Sequence, residues 1–170
     1  MSADELFHLR NVLIWSLVAT AAMTTILQGS QGLGLSRMSL PFLLGTIFSG
    51  DRRRAHVIGF GLYVVGGWAF AGVYYLLFHV TGETASWWLG AALGLLHGLF
   101  LLAVVLPLLP YMHPRMASEH EGPSVTRRLE PPGHFGLNYG RRTALVTLLG
   151  QLVYGAILGA AYSVHLGGRW

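Results

Sequence analysis

Residues 87–111, with the sequence WWLGAALGLLHGLFLLAVVLPLLPY, contain no charged side chain. A helix needs about 20 apolar residues to cross about 30 Å of hydrocarbon, so this stretch predicts a membrane-spanning helix. Gly90, Gly94 and Gly98 recur at every fourth position and predict a close helix contact, because small residues let neighbouring backbones approach in lipid. His97 lies about 60° from the centre of that row, so we expect it to point into a helix bundle.

The composition agrees with a membrane protein. Only 11 % of the 170 residues are charged and 53 % are hydrophobic, which is not the balance of a water-soluble domain. The chain has no cysteine, so disulfides, thiolate metal sites and cysteine nucleophiles are excluded. The net charge of +4 does not indicate nucleic-acid binding, because the arginines lie at the boundaries of apolar stretches.

Four stretches are long enough to span a bilayer, namely residues 11–28, 56–80, 87–111 and 143–166. Residues 38–49 are apolar but too short to span, and we expect an interfacial or re-entrant segment there. The first span is expected to end at Gln28, where a glycine-rich run begins. The fold class is therefore an all-α membrane protein, a four-helix transmembrane bundle over residues 1–170 as a single domain, with a loop over residues 112–142.

The arginines predict the orientation of the bundle. Two long connections, between the first and second helices and between the third and fourth, hold nine of the eleven arginines: Arg37, Arg52, Arg53, Arg54, Arg115, Arg127, Arg128, Arg141 and Arg142. The positive-inside rule places both connections in the cytoplasm and both ends of the chain outside. We interpret these arginines as anchors of the helix ends at the membrane surface. The alternative is that four of them bind anionic lipid headgroups, namely Arg127, Arg128, Arg141 and Arg142.

The fourth predicted helix has one polar face and one aliphatic face. Its polar residues fall within about 80° of one another and are flanked by Gly155 and Gly159; they are Thr147, Gln151, Tyr154, Tyr162 and His165. We expect this polar, small-residue face to pack inward. The opposite side, expected to face lipid, carries Val146, Leu149, Val153, Ile157 and Val164.

Polar groups within the spans are the candidate functional residues. No acidic residue falls within a span, which weakens proton-coupled transport and cation conduction as functions. If the third and fourth helices are antiparallel, His97 lies at the depth of Tyr154, and the sequence predicts a hydrogen bond between them, with Gln151 as the second candidate partner. His97 is then either a structural histidine or a ligand of a metal, a haem or a quinone headgroup.

His79 and His165 form a second candidate pair, at similar depth on different helices. His79 shares a helix face with Gly61, Trp68, Gly72 and Tyr75, so we expect it to point inward. Two such histidines are the minimum for bis-histidine ligation of haem b. The candidate cofactor-binding set is therefore His79, His97, Tyr154 and His165.

The loop over residues 112–142 offers a weak metal motif. Met112, His113, Met116 and His120, with His134 further on, combine thioether and imidazole groups, which suit copper(I). The motif matches no established spacing and Pro114 interrupts it, so a solvated loop is favoured over a metal site at His113, Met116 and His120.

A resemblance supports the membrane assignment. The segments HPRMAS, LEPPG and LNYGRRT within residues 113–143, leading into a glycine-containing helix, resemble uncharacterised bacterial inner-membrane proteins of four helices, grouped only as a domain of unknown function. The resemblance implies a bacterial cytoplasmic membrane and a four-helix bundle, and it implies no activity or catalytic residue.

Three functional hypotheses follow. The leading one is a non-enzymatic scaffold or accessory subunit without a cofactor, which engages the bilayer and a membrane-protein partner or a second copy of itself; the absence of a catalytic set and the small-residue packing motifs favour it. The competing hypothesis is a redox subunit that holds haem b or quinone. The third is a small channel or transporter lined by the glycine-rich run and residues 38–49.

Overall fold

The structure is a computed structural model that describes the backbone of residues 3–81, 84–118, 120 and 122–165 and the side chains of 9–80, 84–118, 120 and 122–164. Its α-helices are α1 (Ala3–Gly32), α2 (Leu40–Phe48), α3 (Arg52–Thr81), α4 (Trp87–Phe100), α5 (Leu106–Met112) and α6 (Thr143–His165). A π-helical turn over Leu101–Val105 joins α4 to α5, and a 3₁₀ turn covers His134–Tyr139.

Four helical segments are long and apolar enough to cross a membrane, as the sequence predicted. They are Leu9–Gly32, Arg52–Val80, Trp87–Met112 and Thr143–Val164. The all-helical class and the number of helices long and apolar enough to span a membrane are therefore confirmed. The short segment between the first two spans forms α2, which its nine residues make too short to cross.

The predicted end of the first span at Gln28 is wrong, because α1 continues to Gly32. The glycine-rich run caps this helix instead of breaking it. Gly34 has φ +69°, its N–H donates to Gln31 O (3.0 Å), and the Leu35 N–H donates to Ser30 O (2.9 Å). This pair of bonds around a left-handed glycine is a Schellman motif, which satisfies the last carbonyls of the helix.

Pro107 is accommodated by a wider helical turn. Proline lacks an N–H, and its ring clashes with the carbonyl four residues earlier in a regular α-helix. The chain therefore adopts π geometry just before it, and the Leu106 N–H donates to Leu101 O, five residues back. The span continues through Pro107 to Met112.

Contacts group the chain into two compact units. Unit 1 contains Met1–Ile26, Val64–His97 and Leu148–Trp170, and unit 2 contains Leu27–Tyr63 and Gly98–Thr147. Within unit 1, α4 and α6 run antiparallel with their backbones in contact. A Cβ added at Gly90 would overlap Gly155 O, and one added at Gly94 would overlap Gln151 O.

Four of the five predicted packing glycines, Gly90, Gly94, Gly155 and Gly159, lie at this contact of α4 with α6. Gly98, the fifth, is buried and belongs to unit 2. The described part of the polar face of α6 is buried as well, since Thr147, Gln151, Tyr154 and Tyr162 are each at most 3 % exposed.

Val146 is buried, which makes its predicted place on the lipid face wrong. The physical reason lies at the start of α6, which packs inside unit 2. Thr143 Oγ1 and Ser36 Oγ share a hydrogen bond of 2.9 Å there. Leu149 and Val164, from the same predicted face, are 49 % and 77 % exposed.

The buried face of α3 is not the one that the sequence indicated. On the face of His79, which was predicted to point inward, Gly61, Trp68, Gly72 and His79 are exposed and Tyr75 is half-buried. The buried face is offset from them and consists of Ala55, Gly59, Tyr63, Gly67, Ala71, Tyr74 and Phe78. Both faces combine glycines with aromatic residues, so pattern alone could not choose between them.

In unit 2, α2 packs against the first half of α3. A Cβ added at Gly45 would overlap Ala55 O, and one added at Gly59 would overlap Pro41 O. Two glycines on facing helices thus allow a backbone-to-backbone contact. The segment that the sequence placed as interfacial or re-entrant is anchored on α3 in this way.

Candidate functional site

His97 on α4 lies among aromatic rings of α3 and α6. Its ring centroid is 3.9 Å from that of Phe70, 6.2 Å from that of Tyr74 and 6.4 Å from that of Tyr154. Both of its ring nitrogens are buried, and neither has a hydrogen-bond partner among the described residues. The prediction that His97 points inward is confirmed.

The hydrogen bond predicted between His97 and Tyr154 is not formed, and this prediction is wrong. Tyr154 instead donates its hydroxyl to Gly67 O at 2.6 Å. Gly67 has no side chain to shield its carbonyl, so the phenol can reach the backbone of α3. Gln151, the second candidate partner, leaves its Oε1 atom buried without a partner among the described residues.

Two polar side chains of α1 lie beside this aromatic group. Ser16 and Thr20 extend from α1, and both are almost completely buried. Ser16 lies next to the Tyr154 hydroxyl but outside hydrogen-bonding geometry, and Thr20 Oγ1 lies against Gly67. We call this set the polar cluster; it consists of Ser16, Thr20, Tyr74, His97, Gln151 and Tyr154. No charged residue belongs to it.

The four predicted cofactor-binding residues are not brought together as one described set. His97 and Tyr154 are neighbours in the polar cluster, whereas His79 lies on the exposed side of α3, where its ring is parallel to that of Tyr75 at 6.4 Å. The expectation that His79 points inward is therefore wrong. The side chain of His165 lies outside the described residues, so the proposed histidine pair stays a prediction.

His113 is the centre of a second polar site, which lies in unit 2. It is 1 % exposed, which makes the prediction of a solvated loop wrong at this residue. Its Nδ1 accepts the Arg115 backbone N–H at 3.1 Å, so Nε2 carries the proton. Nε2 lies 3.0 Å from Leu43 O and 3.1 Å from Thr46 Oγ1, both on α2.

The three residues of the weak metal motif lie in different surroundings. Both nitrogens of His113 are already hydrogen-bonded, Met116 is fully buried, and His120 is exposed. The part of the chain that the structure describes contains no group of three or more histidine, cysteine, aspartate or glutamate residues placed to hold a metal ion.

Burial lowers the pKa of His113, and the nearby Arg115 and Arg127 guanidinium groups lower it further. The folded chain therefore keeps this ring neutral to a lower pH than the unfolded chain, which takes up a proton near pH 6.5. The contribution of His113 to the free energy of unfolding is therefore fully present above about pH 6.5 and declines as the pH falls below that value.

We expect the Tm in detergent to fall more steeply between pH 7 and pH 5 in the wild type than in His113→Gln. Parallel pH profiles for the two proteins would contradict this role.

Two arginines of the loop bind the ends of helices, a role that the sequence did not indicate. Arg115 donates to Thr46 O (2.6 Å) and Ile47 O (3.0 Å) at the end of α2. Arg127 donates to Met116 O (2.7 Å) and to Pro110 O near the end of α5. The last carbonyls of a helix need donors and favour a positive charge. The need for a donor at each helix end could have been predicted, but the spacing of the arginines along the sequence does not say which arginine binds which helix.

The later part of the loop, near Glu130 and Asn138, is held in place by Arg37, Glu130 and Tyr139. Arg37 forms an ion pair with Glu130 (3.1 Å) and donates to Asn138 O (2.6 Å). Tyr139 donates its hydroxyl to Glu130 O at 2.6 Å. Burial, together with the Glu130 carboxylate, raises the pKa of Tyr139, so this hydroxyl stays a donor.

These observations define an all-helical protein with four helices suited to a bilayer, an uncharged polar cluster in unit 1 and an arginine-tied loop in unit 2. Comparison with protein-family models finds no match, and neither does comparison with curated proteins or with solved structures. The resemblance of residues 113–143 to bacterial inner-membrane proteins therefore stays a prediction.

Proposed function

We propose that this protein is a non-enzymatic accessory subunit of a larger assembly in a bacterial cytoplasmic membrane. Residues 113–142 form its docking surface for a membrane-protein partner, on the cytoplasmic side. The distribution of the arginines supports this orientation, since nine of the eleven lie in the two long connections.

The way in which the described part of the loop, residues 113–118, 120 and 122–142, is held is the observation that carries the proposal. Connections longer than about 15 residues without regular structure are usually either functional or disordered. This one is held by Arg115, Arg127 and Arg37, each bonded to backbone carbonyls of unit 2. Its backbone is also paired locally, since the Ala117 N–H donates to Leu129 O and the Leu129 N–H donates to Arg115 O. An ordered connection of this length favours a binding role.

The loop presents features suited to a protein partner. A cleft of about 500 Å³ is bordered by the charged residues Arg128 and Glu130 and by Pro123 and Pro131. Phe135 has φ +54° and is 44 % exposed. The left-handed conformation costs a residue with a Cβ about 1–2 kcal/mol, and such strain is concentrated at functional surfaces.

Photo-crosslinking in cells tests this function. A benzophenone amino acid placed at Val125, which is 83 % exposed in the loop, should cross-link to another membrane protein. The same group at Val80, which is 73 % exposed near the end of α3, is the matched control and should give no such product. Native mass spectrometry of the protein released from its own membranes should then show a complex that loses a second protein.

The proposal fails if Val125 gives no cross-link to a different protein and the native mass is that of the bare 18.5 kDa chain or a whole multiple of it. It also fails if both positions give the same products, because the partner would then contact the loop no more specifically than the exposed surface around Val80.

A further inference from the structure

Several side chains of the polar cluster are buried and carry a polar atom with no hydrogen-bond partner among the described residues. Ser16, Thr20, Tyr74 and Gln151 are 0 %, 2 %, 3 % and 3 % exposed. Each leaves a polar oxygen unpaired, and both nitrogens of His97 are unpaired too. All of these residues lie within segments long and apolar enough to span the membrane.

Three other hydroxyls of unit 1 behave differently. Thr24, Thr25 and Ser163 donate to carbonyls of their own helices at 2.6, 2.9 and 2.7 Å, which is the usual solution for such residues in apolar helices. Ser16 and Thr20, on the same helix as Thr24, form no such bond and reach towards Tyr154 and Gly67. Their hydroxyls are thus directed into the polar cluster and away from α1.

A dry cluster of this kind would be costly. A buried donor or acceptor without a partner loses its hydration and gains nothing in return. The stability of a small domain is only marginal, so the combined cost of several such groups would offset much of it. A molecule that supplies the missing bonds removes this cost.

The chemistry of the cluster restricts what that molecule can be. All of the side chains are uncharged in their usual states, so an ion would meet no countercharge there. Hydroxyls and imidazole both donate and accept, and the Gln151 carbonyl accepts, so the ligand must do both. The rings of Tyr74, His97 and Tyr154 lie within 6.4 Å of one another, which leaves no place for a further ring between them.

We propose that the polar cluster is a binding site for small, uncharged, hydrogen-bonding molecules, either water or a solute of a few heavy atoms. The bound molecules bridge α1, α3, α4 and α6 within unit 1. This site is independent of the loop and of the accessory-subunit proposal.

Two substitutions test the site by the direction in which they change the Tm. Thr20→Val and Tyr74→Phe each remove an unpaired oxygen while nearly preserving shape. If the oxygens bind a ligand, each variant should lower the Tm by about 5 °C, whereas a dry orphan should become more stable when it is removed. Thr24→Val, one turn along α1, is the matched control and should have a smaller effect, because the Thr24 hydroxyl bonds only its own helix. A rise or no change in both test variants overturns the proposal.

Two measurements separate the possible ligands. Water-edited solid-state NMR of the protein in deuterated lipid should show magnetisation transfer from water to the rings of Tyr74 and His97 if water occupies the site. Native mass spectrometry should show a retained extra mass if a solute does. Absence of both signals would overturn the proposal, whatever the result for partner binding by the loop.

Discussion

Replacing Gly155 by alanine is expected to lower the Tm of the detergent-solubilised protein by about 10 °C. A Cβ at this position would overlap Gly90 O, and a second backbone atom, Gly94 N, lies close by. A backbone carbonyl cannot rotate away as a side chain can, so α4 and α6 would have to separate. Overpacking typically costs about 1–3 kcal/mol and occasionally more, and a backbone clash lies at the upper end, which corresponds to about 10 °C in a chain of this size.

The matched control is Gly72→Ala on α3, also in unit 1. A Cβ added at Gly72 meets nothing within 4 Å. Alanine favours a helix over glycine by about 1 kcal/mol, so the Tm should stay the same or rise slightly. Similar losses in the two variants, measured by thermal unfolding monitored by circular dichroism, would show that the glycines of α4 and α6 do not set a close contact.

The second large effect is expected from His113→Leu. Leucine fills a similar volume but cannot accept the Arg115 N–H or donate to Leu43 O. Losing buried hydrogen bonds and leaving one N–H unsatisfied should cost about 3 kcal/mol of unfolding free energy. We expect a fall in Tm on the order of 10 °C, together with faster proteolysis within residues 113–142.

A graded series separates hydrogen bonding from packing at this site. His113→Gln keeps a donor near the position of Nε2 but has no acceptor at Nδ1, so it should lose about half as much stability as His113→Leu. His134→Leu changes an exposed histidine of the same loop and should have little effect. Equal Tm values for the leucine and glutamine variants at position 113 would rule out the inferred role of Nε2.

The glycine contact and the polar face of α6 could be predicted because each depends on a pattern of neighbouring residues in the sequence. Small residues at every fourth position indicate a close contact wherever the helix packs, and Gly90, Gly94, Gly155 and Gly159 meet at one. The inward direction of His97 followed from the same helical periodicity. Its hydrogen bonding did not, because Gly67 O on a third helix competes for the Tyr154 hydroxyl.

The errors concern choices between helix faces and between partners. His79 shares a face with glycines and aromatic residues, but a second face of α3, with Gly59 and Gly67, is the one that packs. Periodicity identifies faces and does not rank two similar ones. His113 looked like a residue of a solvated loop, and only its contacts with α2 reveal it as a buried centre.

The sequence by itself determined the helical class, the four stretches long and apolar enough to span a membrane, and the small-residue rows that meet between α4 and α6. The physical reason is that hydrophobic length and helical period are properties of contiguous residues. Only the tertiary structure decided which arginine caps which helix, which hydroxyls remain unpaired in the polar cluster, and how residues 113–142 are held. These depend on groups far apart in the chain, and a side chain that reaches a backbone carbonyl leaves no periodic trace in the sequence.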